Sequence, residues 1–495
     1  MRTKIVCHLL GKLLGVLAVS MAIPLAYAIV WREDICVWFL LSLVLTGGLG
    51  LLLSHFGENG GHNGHIGTRE GYLIVASSWF LASVLGALPY WLSGWVSSYV
   101  DAVFETVSGF TTTGASIFSD VEVLPKSLLL WRSLTHWLGG MGIIVLFLIF
   151  LTNIGVGAVN LFKAESPGPT VDRVLPRIRL MAKELWKIYV VLTGMEIVLL
   201  FLGGMGFFDA VNHAFATMAT GGFSTKNASI KYFDSLYLEL VIVFFMFVAG
   251  GNFCLYYLVW SKGIKHLVRN IEFRFYLFIA VFSTLAVALL VCADKGVSFA
   301  SGLRDALFTV VSIMTTTGFA TADFDQWPPA AKIILFLLMF SGGCAGSTAG
   351  GIKVVRLLIL FRNAVGSLLK AVHPNIVRTI KIDGKPVDFE VLNAVLQFFY
   401  LYMLVFFVSV LLVAATGTPP FDAMGAVAAT LGNIGPGFGI VGPTSTYADV
   451  HPLAKIVLIA DMLLGRLELI TILVLFHPDF WQPYIDRRKS MFQTR

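Results

Sequence analysis

Apolar residues in this chain gather into runs long enough to cross a bilayer, and polar residues fall mostly in the gaps between them. A helix needs about 20 apolar residues to traverse the hydrocarbon core. Seven runs of that order contain no Asp, Glu, Lys or Arg: residues 35–54, 71–100, 133–162, 240–261, 275–293, 333–352 and 391–421. Three more are less clean, with Lys12 just before residues 13–30, Glu196 inside 188–208, and Asp461, Arg466 and Glu468 inside 456–476. The pattern predicts an all-α polytopic membrane protein with about ten transmembrane helices. The first run follows Arg2 and Lys4 and ends Ala26-Tyr27-Ala28, which also suits a cleaved signal segment. A retained helix fits the alternation of the later loops better.

Composition sharpens this picture. Of 495 residues, 57% are hydrophobic and 13% charged, against roughly 25% charged in a soluble chain. That excludes a cytosolic enzyme, a nucleic-acid binder and a disordered scaffold. Cys7, Cys36, Cys254, Cys292 and Cys344 are scattered and form no CxxC pair, so they suggest neither a disulfide framework nor a zinc site. Basic residues crowd alternate connections. Lys163, Arg173, Arg177, Arg179, Lys183 and Lys187 fill one, Lys262, Lys265, Arg269 and Arg274 another. Lys353, Arg356, Arg362, Lys370, Arg378, Lys381 and Lys385 fill a third, and the tail carries Arg487-Arg488-Lys489. Residues 101–126 and 294–332 are acidic or balanced. The positive-inside rule therefore places both termini and the basic loops in the cytoplasm. The net charge of +6 is an orientation signal and needs no nucleic acid to explain it.

The outward loops repeat. Four Asp-Ala dipeptides begin at Asp101, Asp209, Asp305 and Asp422, and 13 residues after each Asp stands Gly114, Gly222, Gly318 or Gly435. With glycine at 48 of 495 positions, such a coincidence has a chance probability of about one in ten thousand, so the repeat is real. The segments end Thr111-Thr112-Thr113-Gly114, Ala219-Thr220-Gly221-Gly222, Thr315-Thr316-Thr317-Gly318 and, most divergent, Gly432-Asn433-Ile434-Gly435. Each Asp reads as a helix N-cap, and about ten apolar residues behind it give a helix of roughly 15 Å, half a membrane. Thr and Gly then favour extended or left-handed backbone. Non-helical backbone at membrane depth is tolerated only where it is buried or lines a water-filled path. Four such loops can surround one axis, where a ring of backbone carbonyls replaces the water shell of a cation and the C-terminal ends of the short helices add partial negative charge. The competing reading is that these small residues merely let helices pack closely; fixed spacing in four loops on one side favours the ring.

Two further motifs join these loops: Thr68-Arg69-Glu70-Gly71-Tyr72 and the glycine-rich segment from Gly342 to Gly351. With them, nearly the whole chain resembles the TrkH family of bacterial potassium uptake subunits, in the superfamily with KtrB and the plant HKT transporters. The resemblance implies two N-terminal helices (1–56) followed by four helix–pore-loop–helix repeats around one pore, at 68–162, 180–268, 272–370 and 388–495. It implies a filter at Thr112, Thr113 and Gly114, at Thr220, Gly221 and Gly222, at Thr316, Thr317 and Gly318, and at Asn433, Ile434 and Gly435. It implies K⁺ as the transported ion, with Rb⁺ and Na⁺ as rivals; glycine at 114 favours potassium, and the fourth loop makes the filter asymmetric. It also implies a homodimer in the bacterial inner membrane. A TrkA-like cytosolic subunit would supply all nucleotide regulation, and no cofactor is bound covalently.

The segment Gly342-Gly343-Cys344-Ala345-Gly346-Ser347-Thr348-Ala349-Gly350-Gly351 interrupts an apolar run. A phosphate-binding P-loop would need Lys where Ile352 stands. A glycine break can be a static kink or a mobile hinge, and the resemblance assigns it to a gate below the filter. Arg466, buried in the last span, either pairs with Asp461, Glu468 or a nearby carbonyl, or acts in the pathway. The resemblance implies that it projects into the pore beneath the filter and hinders the ion. Lys353 is a weaker candidate for the same role. His62-Asn63-Gly64-His65 reads as a polar turn, and Glu105 and His213 as satisfied buried groups. A membrane enzyme is the main rival, but His136, Glu196, Asp461 and Glu468 form no catalytic spacing. A coupled carrier would favour inverted repeats, whereas these all run one way.

Overall fold

The computed structural model describes residues 3–58, 67–142, 178–376 and 379–482. Its regular elements are helices, apart from one antiparallel hairpin pairing Lys381–Ile382 with Lys385–Pro386. This is what hydrocarbon requires, because a helix satisfies its own backbone polar groups. Thr3–Val30 and Cys36–Glu58 form a tight antiparallel pair. A Cβ on Gly11 would collide with the backbone of Gly50 and Ser54, the close approach that small residues permit between membrane helices.

Four units follow, each with the same order of parts. The entering helices are Thr68–Gly86, Ile178–Leu202, Ile271–Lys295 and Phe389–Ala414. The pore helices are Tyr99–Phe110, Phe207–Met218, Phe299–Met314 and Pro420–Leu431. At 12, 12, 16 and 12 residues they are the half-membrane helices that the sequence leads one to expect. The outgoing helices begin at Lys126, Leu236, Pro329 and Pro452.

Apart from the glycine-rich segment, where a break was expected, the outgoing helices differ from the uninterrupted spans expected. Leu236–Ala249 and Phe253–Lys262 meet at 94° across Gly250 and Gly251. Pro329–Met339 stops before the glycine-rich segment, and the helix resumes only at Val354–Val372. Pro452–Arg466 ends in a turn with positive φ at Glu468 and Leu469. Lys126–Gly140 ends at a glycine pair, and the remainder of the 133–162 run lies outside the described residues, as does His62-Asn63-Gly64-His65. Among the described residues six helices are long and apolar enough to cross alone, and the bent pair makes a seventh. Hydropathy alone does not register the break at Gly250 and Gly251, because one or two glycines can interrupt a helix within an apolar run.

The expected N-cap role of the four aspartates is also corrected. The caps are Ser98, Gly206, Ser298 and Pro419. Asp101, Asp209 and Asp422 lie in the first turn, where a carboxylate still favours the helix dipole, and Asp305 lies further in. Aromatic residues or Pro start these helices earlier, which frees the carboxylates for tertiary contacts. Asp101 pairs with Lys455 Nζ at 2.8 Å, joining the first pore helix to the last outgoing helix. Asp209 accepts from Thr225 Oγ1 at 2.6 Å.

Candidate ion pathway

All four pore helices end the same way. Thr112, Thr220, Thr316 and Asn433 have φ of 56°, 55°, 56° and 55°. The next amide in each loop reaches back to the helix: Thr113 N donates to Ser108 O at 2.9 Å, and Gly221 N, Thr317 N and Ile434 N donate to Ala216 O, Ser312 O and Ala429 O at 2.8 Å. This is the Schellman termination, normally made with glycine at the left-handed position. A β-branched threonine there is a genuine outlier and carries strain of order 1–3 kcal/mol. Asn visits that region more readily, so the divergent fourth loop changes side chain while keeping the backbone. Two residues on, Gly114, Gly222, Gly318 and Gly435 are again left-handed, with φ of 79°, 78°, 82° and 99°.

The four loops close into a ring. A Cβ on Gly114 would overlap the carbonyl oxygen of Gly221, one on Gly222 that of Thr317, and one on Gly318 that of Ile434. A Cβ on Gly435 would meet Thr113 O at 2.5 Å, completing the circuit. Only glycine permits carbonyls this close. Thr111, Thr112, Thr113, Thr220, Thr316, Thr317 and Asn433 are all buried. Loops one and three share a hydroxyl ladder, with Thr111 Oγ1 2.7 Å from Thr113 Oγ1 and Thr315 Oγ1 2.8 Å from Thr317 Oγ1.

Beneath this ring lies the glycine-rich segment, folded as a closed loop. Gly342 N donates to Ile352 O at 2.9 Å and Ile352 N to Phe340 O at 3.3 Å, and Lys353 Nζ donates to Ala349 O. Cys344 N donates to Gly250 O at 2.8 Å, which pins the loop to the break in the second outgoing helix. Its far side touches the ring: Gly350 N donates to Thr316 Oγ1 at 2.8 Å, and Thr220 Oγ1 lies 3.4 Å from Thr348 Oγ1. Ser347 Oγ bonds within the loop, to Cys344 O at 2.6 Å.

Arg466 stands at the same level. Its guanidinium donates to Thr112 Oγ1 (3.2 Å), Thr348 O (2.7 Å), Gly139 O (2.5 Å) and Gly140 O (2.8 Å). It thus spans the first loop of the ring, the glycine-rich loop and the end of the first outgoing helix. The two carboxylates that sequence offered as partners are otherwise engaged: Glu468 pairs with Arg356, and Asp461 accepts from Ser409 Oγ at 2.7 Å.

Glu105 and His213 are satisfied buried groups, as their positions suggested. Glu105 Oε2 accepts from Ile117 N at 2.9 Å, and His213 Nε2 lies 2.9 Å from Ser224 Oγ. Sequence reasoning missed what surrounds them. Arg132 lies just before the charge-free run 133–162 and served only as its boundary; its burial against Glu105 at 2.7 Å shows that it belongs to the core. His136 follows at i+4 on the same helix and faces the second loop of the ring. Tyr447 donates its hydroxyl to Gly435 O at 2.7 Å. Among the described residues no group of three or more His, Cys, Asp or Glu could hold a metal.

Comparison with known proteins bears on the same residues. The family TrkH, described as cation transport protein, matches residues 50–483. The chain is 41% identical over 488 residues to the Trk system potassium uptake protein TrkH of Escherichia coli, covering 97% of this chain and all of that one. It is 38% identical over 485 residues to the TrkH of Halomonas elongata, with the same coverage. The crystal structure of the potassium transporter TrkH from Vibrio parahaemolyticus superimposes with a TM-score of 0.89 at 38% identity, over 97% of this chain and 100% of that one.

Proposed function

The chain belongs to the TrkH family of cation transport proteins, and from that premise we propose that it takes up potassium across the bacterial inner membrane through the ring of four loops. It is a membrane transporter and not an enzyme. The observation that carries the filter reading is the fourfold Schellman ending followed by a left-handed glycine. Alternating handedness keeps successive carbonyls on one side of a loop, whereas a regular strand turns them to opposite sides. Four such loops supply oxygen ligands in place of water. Potassium is the favoured ion, with Gly114 at the filter position of loop one.

The glycine-rich loop and Arg466 together form the gate. A guanidinium at the inner mouth opposes a cation electrostatically, and the loop's hydrogen bonds to Thr316 and Gly250 hold it across the path. Opening requires a push from the cytoplasm, which a TrkA-like nucleotide-binding subunit docked on the basic loops would deliver to a homodimer. Both termini lie on that side.

The deciding measurement is ⁸⁶Rb⁺ uptake into proteoliposomes under an opposing K⁺ gradient, with K⁺, Na⁺ and Li⁺ as competitors and Gly318→Ser alongside. Uptake is expected to be blocked by K⁺ and not by Li⁺, and the substitution, forced against Ile434 O, weakens that discrimination. No flux from folded protein, even with the regulatory subunit present, overturns the reading.

A further inference from the structure

Filter loops lack a regular hydrogen-bonded ladder, so something outside them must hold their carbonyls at a spacing suited to one ion. Behind loops one and two, that something is charged. Arg132 and Glu105 pair at 2.7 Å with side-chain exposures of 3% and 0%. Glu105 Oε2 accepts from Ile117 N (2.9 Å) and its Oε1 from Ser116 Oγ (3.2 Å), both just beyond Gly114. Arg132 reaches the other loop: Nη1 donates to Ser224 O at 3.2 Å, and Nη2 donates to Ser116 Oγ at 3.1 Å. Its guanidinium lies 4.1 Å from the centre of the Phe223 ring, and the other face of that ring stacks on His136 at 4.1 Å. His136 in turn accepts from Phe223 N at 3.3 Å and, through Nδ1–H, donates to Gly109 O at 2.7 Å. The exits of loops one and two are thus fixed to one rigid stack.

We propose that Glu105 and Arg132 are positioning residues for ion selection: the neutral buried pair locks the exits of loops one and two and thereby sets the carbonyl spacing of their half of the ring. The pair carries no net charge, so it supplies rigidity without a field opposing the ion. Loops three and four are anchored at the ring by hydroxyls, Ser312 Oγ to Phe319 O (2.7 Å) and Tyr447 OH to Gly435 O (2.7 Å), and beyond Gly435 by Asp325, whose Oδ2 accepts from Gly439 N at 3.0 Å. The fully buried ion pair therefore sits on one side of the ring, whereas Asp325 and its partner Lys332 are partly exposed.

This inference rests on the filter reading, and the test separates the two. The double variant Glu105→Gln/Arg132→Gln keeps hydrogen-bonding shape without leaving a lone buried charge. In reconstituted protein, the ratio of K⁺ to Na⁺ needed to block ⁸⁶Rb⁺ uptake is measured beside Gly318→Ser. A loss of K⁺ preference by about tenfold in the double variant, with Arg132→Lys intermediate, is the expected result. A purely structural role would lower the amount of folded protein and leave this ratio unchanged; an unchanged ratio overturns the proposal. If the double variant does not fold, Ser116→Ala, which alters no buried charge, decides the question by shifting the ratio several-fold or leaving it fixed. A ratio moved by Gly318→Ser but not by these variants removes this inference alone. A ratio moved by none of them removes the filter reading as well.

Discussion

In the proposed reading, Arg466 is the residue on which the gate depends. Four hydrogen bonds from it reach three separate segments, and charged donors make the stronger kind of bond. Arg466→Ala removes both the braces and the positive charge at the inner mouth, so basal ⁸⁶Rb⁺ flux is expected to rise several-fold. Unchanged flux in a folded variant would remove Arg466 from the gate. At this scale the sequence was partly legible. An arginine inside an apolar span announces itself, but its partner does not, since Asp461 and Glu468 were nearer along the chain than the carbonyls of Gly139, Gly140 and Thr348. The aspartates of the repeat misled for a related reason. Their fixed spacing is real, but three of them lie inside the first helical turn and their carboxylates are free to bond elsewhere. Arg132 was invisible because a hydropathy scan treats a charge as the edge of a span and says nothing of a buried carboxylate 27 residues away.

Among elements, the glycine-rich loop is the most exposed to test. A Cβ on Gly350 would meet the carbonyl of Gly432 at 2.5 Å and the Asn433 side chain, so Gly350→Ala pushes the loop away from the filter. Raised basal flux is the expected signature; flux at the wild-type level would show that the loop does not obstruct the path. The pore helices were legible from the Asp-to-Gly interval because both ends of the unit leave a chemical mark. Of the breaks in the outgoing helices, the glycine-rich one was legible from its composition and the one at Gly250 was not. At Gly250 the cause is tertiary: a Cβ there would strike the Tyr276 hydroxyl and Thr315, contacts made by residues far along the chain.

Across the whole molecule, orientation follows from the distribution of basic residues, and labelling checks it. In a background lacking the five native cysteines, Asp294→Cys should react with a membrane-impermeant maleimide on intact cells, and Lys262→Cys only after permeabilisation. The reverse pattern would invert the topology. Because one chain supplies all four loops, the ring has unequal quarters and a direction. Each ring glycine leans on the carbonyl of the following loop, one to two, two to three, three to four and four back to one. A bulky side chain in one loop therefore displaces the ligand of its successor and spares its predecessor. Four identical subunits would take such a change in every quarter at once. Here a single codon alters one quarter, so ion preference can drift across generations in small steps, each yielding a different pore according to where on the circle it falls.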